Sequence, residues 1–88
     1  MEYLHNGYTL DFPAGTFPLS TDSMLLADFA SLPRNASVLD LGAGCGTLGV
    51  LLCAKDPLCH VTGIELSQAA HNAAKDNIQR NGLSSRMQ

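Results

Sequence analysis

The chain has 88 residues and a formal net charge of −3, with 45% hydrophobic and 15% charged residues. This length allows at most one small domain, and the composition excludes an intrinsically disordered chain. The acidic balance argues against a broad basic surface for nucleic acid. No apolar run approaches the length of a membrane span, so we expect no membrane partner.

The first third of the chain predicts a hairpin followed by a helix. Asn6-Gly7 is a tight-turn signal between two short apolar and aromatic runs within residues 3–12. Residues 20–22 carry short oxygen-bearing side chains that suit a helix start, and Pro33 is expected to end that helix. The apolar residues at helical spacing between these points are Leu25, Leu26, Phe29 and Leu32.

The remainder predicts strands that alternate with helices. We expect a strand over residues 37–41, a helix over 47–55 and a strand over 60–66. Ser67 is a good cap for a last helix, which Asn81-Gly82 would end in the left-handed conformation. The residues expected on one face of that helix are Ala70, Ala73, Ala74 and Ile78.

Alternating strands and helices imply parallel pairing. The predicted fold class is α/β: the N-terminal half of a Rossmann-like doubly wound parallel sheet, preceded by a short β-hairpin and a helix. We divide a single partial domain, residues 1–88, into the hairpin and helix (1–33) and the strand–helix–strand–helix unit (34–88).

A third strand would start at residues 86–88, and a parallel sheet is normally wide and covered on both faces. We therefore expect the chain to be the N-terminal part of a larger domain. The alternative is a complete small module that self-associates through its open sheet edge.

Three cysteines without a CxxC spacing are typical of free thiols in a reducing compartment, so we expect a cytoplasmic protein. Cys53 with Cys59-His60 could be read as partial metal ligation. Buried small hydrophobic residues are the favoured interpretation, and no metal is expected.

Residues 38–49, VLDLGAGCGTLG, place a glycine loop between a strand and a helix. Residues 44–49 fit the dinucleotide pattern GxGxxG, whereas residues 42–46 fit GxGxG. Asp40 favours the second register, because a carboxylate near a pyrophosphate is repelled by about 4 kcal/mol at about 4 Å and an effective dielectric near 20. It suits a cationic cofactor such as S-adenosylmethionine, and Gly49 then serves helix–sheet packing.

Glu65 stands at the end of the next strand, about 20 residues beyond the loop, where an acid can accept hydrogen bonds from both ribose hydroxyls of an adenosine. This position fits NAD and S-adenosylmethionine equally. The alternative role is an ordinary strand-end acid that caps the helix after it.

These segments resemble class I S-adenosylmethionine-dependent methyltransferases over roughly residues 12–88. VLDLGAGCGTLG resembles motif I, and residues 61–83, VTGIELSQAAHNAAKDNIQRNGL, resemble the segment that follows it. Residues 17–30, FPLSTDSMLLADFA, are similar to the segment before motif I in the small-domain type. That group includes bacterial tRNA adenine-N6 methyltransferases acting on valine tRNA.

The resemblance implies a cofactor site with three parts. The glycine loop would line the methionine and adenosyl groups, Asp40 would contact the amino group, and Glu65 would hold the ribose with Leu66 beside the adenine. Thr21 and Asp22 would border the methionine end, unless they serve only as helix caps. The implied cofactor-binding residues are Thr21, Asp22, Asp40, Gly42, Ala43, Gly44, Gly46, Glu65 and Leu66.

The resemblance also implies an RNA partner, such as tRNA, and methylation of adenine N6. The Asn-Pro-Pro-Tyr-type motif of the subgroup is absent from this sequence, so catalytic residues are expected after Gln88 and this chain alone is expected to be inactive. Two alternatives stay open: an NAD-dependent oxidoreductase using residues 44–49, and a truncated module without turnover.

Overall fold

In the computed structural model, which describes residues 1–4, 7–17 and 21–88, the chain forms short strands and three helices. The predicted order of hairpin, helix and strand–helix–strand–helix is confirmed. The elements are β1 (Glu2–Tyr3), β2 (Thr9–Leu10), α1 (Thr21–Phe29), β3 (Ser37–Leu41), α2 (Thr47–Lys55), β4 (His60–Ile64) and α3 (Gln68–Arg80).

The central sheet is parallel, as predicted. β3 pairs with β4 in a register that sets Asp40 opposite Gly63. Residues 86–88 pair in parallel with the other edge of β4. Val61 N–H donates to the Arg86 carbonyl, and Gln88 N–H donates to the Val61 carbonyl. The α/β fold class with parallel pairing is therefore confirmed.

One face of this sheet is covered by a helix that lies very close to it. Gly49 of α2 is buried, and a Cβ at this position would stand 2.5 Å from the Met87 methyl carbon and 3.2 Å from Val61 Cγ1. A side chain at this position would force Met87 to move and Val61 to give way, so glycine allows the close approach of α2 to the sheet. The packing role expected of Gly49 is confirmed.

Within the part of the chain that the structure describes, the opposite face of the sheet is largely exposed. Leu39 and Leu41 of β3 and Ile64 of β4 point away from the helices, and Leu41 is 72% exposed. Alternation along a strand places these residues together on one face. The sheet thus has a covered face that carries Asp40 and an uncovered apolar face.

The N-terminal segment forms the predicted antiparallel hairpin, with Glu2 opposite Leu10. Gly7 has a φ of 88°, whereas Asn6 of the expected turn lies outside the described residues. Ser20 of the expected helix start also lies outside them. α1 begins at Thr21 with Asp22 in its first turn.

α1 differs from expectation at its end and on its surface. It ends at Phe29 rather than at Pro33, because the Lys55 ammonium of α2 donates to the carbonyls of residues 27, 28 and 30 and closes the helix there. Leu25 and Leu26 are more than half exposed and Phe29 is 88% exposed, and the buried residue of the helix is Ala27.

α3 follows its prediction closely. The Ser67 hydroxyl accepts from Ala70 N–H at 3.3 Å, which caps the helix. Gly82 has a φ of 67°, and Leu83 packs back into the core with 2% exposure. The preceding strand ends at Ile64 instead of Leu66. Directly after it, the Glu65 carboxylate accepts hydrogen bonds from the N–H groups of Gly44 and Ser67.

The three cysteines are free and buried, as the favoured interpretation expected. Cys53 Sγ lies 3.9 Å from Cys59 Sγ, and burial raises the pKa of the Cys53 thiol to about 12. The Cys53 thiol therefore stays protonated at neutral pH. Within the described residues, no helix combines the length and apolar character needed to cross a bilayer.

Candidate functional site

The glycine loop, residues 42–46, lies at the carboxyl end of β3. The N–H groups of Gly42 and Ala43 both donate to the Ile64 carbonyl, at 2.8 and 3.0 Å. These bonds tie the loop to the end of β4. The loop therefore occupies the edge at which open α/β sheets bind ligands.

Three glycines in the loop, Gly42, Gly44 and Gly46, hold backbone conformations that favour glycine. Gly44 has a φ of 59° and Gly46 a φ of 84°, where a residue with a Cβ costs about 1–2 kcal/mol. Gly46 is also the residue before α2 and offers no side chain to cap it. The first N–H groups of α2 are thereby left available at the loop.

The Glu65 carboxylate is held by backbone donors. Oε1 accepts from Gly44 N–H at 2.7 Å, and Oε2 accepts from Ser67 N–H at 2.9 Å. These bonds hold the pKa of Glu65 below its ordinary value, with Ser67 contributing most. Each oxygen keeps a second acceptor position, so the fixed carboxylate can still accept from a pair of neighbouring hydroxyls.

Asp40 has the opposite electrostatic character. Its side chain is half-buried, and burial raises the pKa of this carboxyl above its ordinary value. The negative charge of Glu65 raises it further. Two acids at the same strand ends are best stabilised by a cation, such as an ammonium group, near Asp40.

A narrow crevice of about 40 Å³ lies between the loop, the sheet and α3. It has room for about one or two water molecules and is too small for a nucleoside. The predicted residues that line it are Asp40, Ala43, Gly44, Gly46 and Glu65. A cofactor would therefore lie across the open strand ends, with this crevice as its floor.

The remaining predicted residues lie outside the crevice. Gly42, with a φ of 73°, adjoins it through its bond to Ile64, and Leu66 is 98% exposed directly after Glu65. Thr21 and Asp22 are exposed at the start of α1. Among the described residues, no hydrogen bond joins Thr21 or Asp22 to the loop, so their place in the site stays a prediction.

A larger cavity of about 470 Å³ lies between α1 and α2 and contains none of the predicted residues. Its walls are mostly apolar side chains, including Leu4, Met24, Leu25 and Leu51. Because ligand sites need a few convergent polar groups, the smaller crevice at the strand ends is the better candidate.

The sequence analysis missed the side-chain contacts of two asparagines, Asn77 of α3 and Asn81 at the C-terminal cap of that helix. Asn77 is fully buried, and its amide touches both the loop and the N-terminal segment. Asn81, one helical turn later, binds Thr9. Their spacing of four residues places them on one helix face, and this was the signal that could have found them.

Comparison with known proteins agrees with this geometry. The family model described as Methyltransferase small domain matches residues 7–88. A tRNA1(Val) (adenine(37)-N6)-methyltransferase of Histophilus somni is 38% identical over 63 residues, which are 70% of this chain and 27% of that protein. The ribosomal RNA small subunit methyltransferase C of Buchnera aphidicola is 32% identical over 92% of this chain and 24% of its own length.

A solved structure supports the same assignment. A SAM-dependent methyltransferase from Thiobacillus denitrificans, in complex with S-adenosyl-L-homocysteine, superposes with a TM-score of 0.68 and 27% identity. The match covers 84% of this chain and 31% of that protein.

The chain spans about a quarter of the length of the curated relatives it matches. Because the family model matches nearly all residues of the chain, the alternative of an NAD-dependent oxidoreductase is not favoured. The chain belongs to the methyltransferase small domain family, whose relatives include SAM-dependent methyltransferases.

Proposed function

We propose that the protein binds S-adenosylmethionine at the carboxyl ends of β3 and β4 and acts as a methyltransferase on adenine N6 of RNA. When bound, this cofactor supplies an activated methyl group on a positively charged sulfur. The chain's own residues bind and orient it.

The Glu65 carboxylate is the observation that carries the proposal. Its two oxygens are held by Gly44 and Ser67, so its position is set before a ligand arrives. The free acceptor position on each oxygen matches the adjacent hydroxyls of a ribose. A carboxylate that is ionised over a wide pH range is a strong acceptor for such hydroxyls.

Asp40 and the loop would receive the methionine end. The half-buried Asp40 carboxyl favours a cationic neighbour, which the cofactor's ammonium group provides. Gly42, Ala43, Gly44 and Gly46 let the chain approach the ligand closely. Leu66 is proposed to flank the adenine, and Thr21 and Asp22 to border the methionine end.

Calorimetry of the intact protein with S-adenosylhomocysteine tests this site, because that ligand keeps the ribose and the ammonium group. We expect Glu65→Gln and Asp40→Asn each to weaken binding by about tenfold or more, since each removes a charged hydrogen-bond acceptor. Asp76→Asn is the matched control. It removes an exposed acid of α3 that lies outside the crevice and should leave the affinity unchanged.

Retained binding after both Asp40 and Glu65 are changed would count heavily against this site. A thermal-shift comparison of S-adenosylhomocysteine with NADH distinguishes the proposed methyltransferase from an NAD-dependent oxidoreductase. Stabilisation by NADH alone would favour the oxidoreductase alternative, whereas the proposal expects stabilisation by S-adenosylhomocysteine alone.

RNA is the proposed methyl acceptor because the two relatives are named for tRNA and ribosomal RNA methylation. Of the five basic residues, Lys55, Arg80 and Arg86 already donate hydrogen bonds within the chain. We therefore expect phosphate contacts to come from residues other than these three.

Incubation of unmodified tRNA and ribosomal RNA with the intact protein and labelled S-adenosylmethionine tests the acceptor. N6-methyladenosine in digested RNA is the expected product. A methyl group found on another base, or on protein alone, would contradict the proposed acceptor and leave the cofactor site intact. The 88-residue chain by itself is expected to show no turnover.

A further inference from the structure

Asn77 joins three parts of the molecule that are distant in sequence. It belongs to α3, its Nδ2 donates to the Cys45 carbonyl in the glycine loop at 2.8 Å, and its Oδ1 accepts from Asp11 N–H at 2.8 Å. The residue is fully buried. A buried amide at such a junction fixes the relative position of its partners.

The amide of Asn77 is used completely. Besides Cys45, Nδ2 donates to the Asp11 carbonyl at 3.2 Å, and the guanidinium of Arg80 donates to Oδ1. Two donors and two acceptor positions are the full capacity of an asparagine side chain. With every position filled, a shift of the N-terminal segment or of the loop would leave a buried polar group unpaired.

Asn81 provides an internal contrast. Its Oδ1 accepts from Thr9 N–H at 2.7 Å and its Nδ2 donates to the Thr9 carbonyl. It therefore holds the same N-terminal segment in the same way, through both backbone groups of one residue. Within the described part of the chain, the Asn81 side chain makes no hydrogen bond to the glycine loop.

We infer that Asn77 is a positioning residue for the cofactor loop: its amide holds the Cys45 carbonyl and the Asp11 backbone in one arrangement, so that the loop and the N-terminal segment move as one unit. This inference rests on the proposed cofactor site for its functional consequence. The loop's own geometry provides a readout that needs no cofactor.

Asn77→Ser and Asn81→Ser in the intact protein form a matched pair, because they shorten the same side chain on the same helix face. Affinity for S-adenosylhomocysteine is measured by calorimetry on samples shown to be folded by circular dichroism. We expect Asn77→Ser to weaken binding by about tenfold, as for loss of a buried hydrogen bond that leaves its partner unpaired. Asn81→Ser should change the affinity by less than about twofold.

Equal losses in the two variants would overturn the inference, because both would then act only through the N-terminal segment. An unchanged affinity in Asn77→Ser would overturn it as well. If the unaltered protein fails to bind S-adenosylhomocysteine, the proposed function fails instead. The loop is then judged by hydrogen exchange of the Gly46 amide, which donates to the Ala43 carbonyl and should exchange faster in Asn77→Ser alone.

A measurement on the unaltered protein covers the case in which Asn77→Ser does not fold. Coupling between two sites is reciprocal, so a ligand that orders the loop should also protect the Asp11 amide, whose acceptor is Asn77. We expect S-adenosylhomocysteine to slow exchange at Asp11 several times more than at Thr9, whose acceptor is Asn81. Equal slowing at both amides would contradict a specific role for Asn77.

Discussion

Asp40 and Glu65 are acids at the same strand ends, yet their surroundings shift their pKa values in opposite directions. Backbone donors lower the pKa of Glu65, whereas burial raises that of Asp40. Such a divergence assigns different tasks to the two groups. In the proposed site Glu65 would be a charged acceptor for hydroxyls, and Asp40 would be a group whose ionisation a cationic ligand favours.

Affinity for S-adenosylhomocysteine should therefore depend on pH through Asp40. The ligand's ammonium group lowers the pKa of Asp40, so binding releases protons below the raised pKa of the free protein, and affinity rises with pH until that pKa is passed. The lowered pKa of Glu65 moves the titration of that group in the opposite direction, to lower pH. Calorimetry in buffers of different ionisation enthalpy measures the proton release.

Asp40→Asn is the control for this pH dependence, because an amide does not titrate. It should bind more weakly and without proton release in that window. Proton release of the same size in Asp40→Asn would assign the effect to another group.

The bonds of Glu65 contribute to the stability of the fold. This contribution is present above the unfolded pKa of 4.5 and is lost as pH falls through the lowered folded pKa of Glu65.

At the scale of elements, the glycine loop is pressed against β4. A Cβ at Gly63 would stand 2.8 Å from the Ala43 Cβ, and both atoms are attached directly to backbone. Neither can move by a simple change of side-chain rotamer, so the loop itself would have to shift. Gly63 thus keeps the loop seated on the end of the strand.

Gly63→Ala is expected to lower the free energy of unfolding by about 1–3 kcal/mol, as overpacking does in other cores. It should also weaken S-adenosylhomocysteine binding. Combining it with Ala43→Gly removes the opposing methyl group, so the double variant should recover part of the loss. Denaturant unfolding of the two single variants and the double variant measures this coupling; strictly additive losses would rule out the contact.

The helices and strands from residue 37 onward were predictable because local signals and apolar spacing agree there. α1 was predictable in its existence and its start, but not in its end, where Lys55, distant in sequence, donates to the last carbonyls. The part of the site formed by Asp40, the glycines and Glu65 was also predictable from spacing. The role of Asn77 was missed because its hydrogen-bond partners lie 32 and 66 residues away in the sequence.

At the scale of the whole molecule, the covered and bare faces of the sheet are unequal. Leu39, Leu41 and Ile64 are between 49% and 72% exposed on the bare face. Among the described strands, β3 pairs with β4 alone, and its free edge forms with these side chains a surface that soluble proteins normally cover.

The 88-residue chain by itself is therefore expected to self-associate. Sedimentation velocity should show species larger than a monomer, and Leu41→Lys should reduce them by placing a charge on the bare face. Leu58→Lys is the matched control, because Leu58 is an exposed leucine in the connection between α2 and β4. A clean monomer at all concentrations would argue against association through this surface.

The central claim is that the strand ends of β3 and β4 hold an adenosyl cofactor. A crystal structure of the protein with S-adenosylhomocysteine tests it most directly. We predict that the ribose hydroxyls contact Glu65 while the carboxylate keeps its bonds from Gly44 and Ser67, and that the ammonium group lies toward Asp40. A ligand bound elsewhere, or a ribose that makes no contact with Glu65, would contradict the claim.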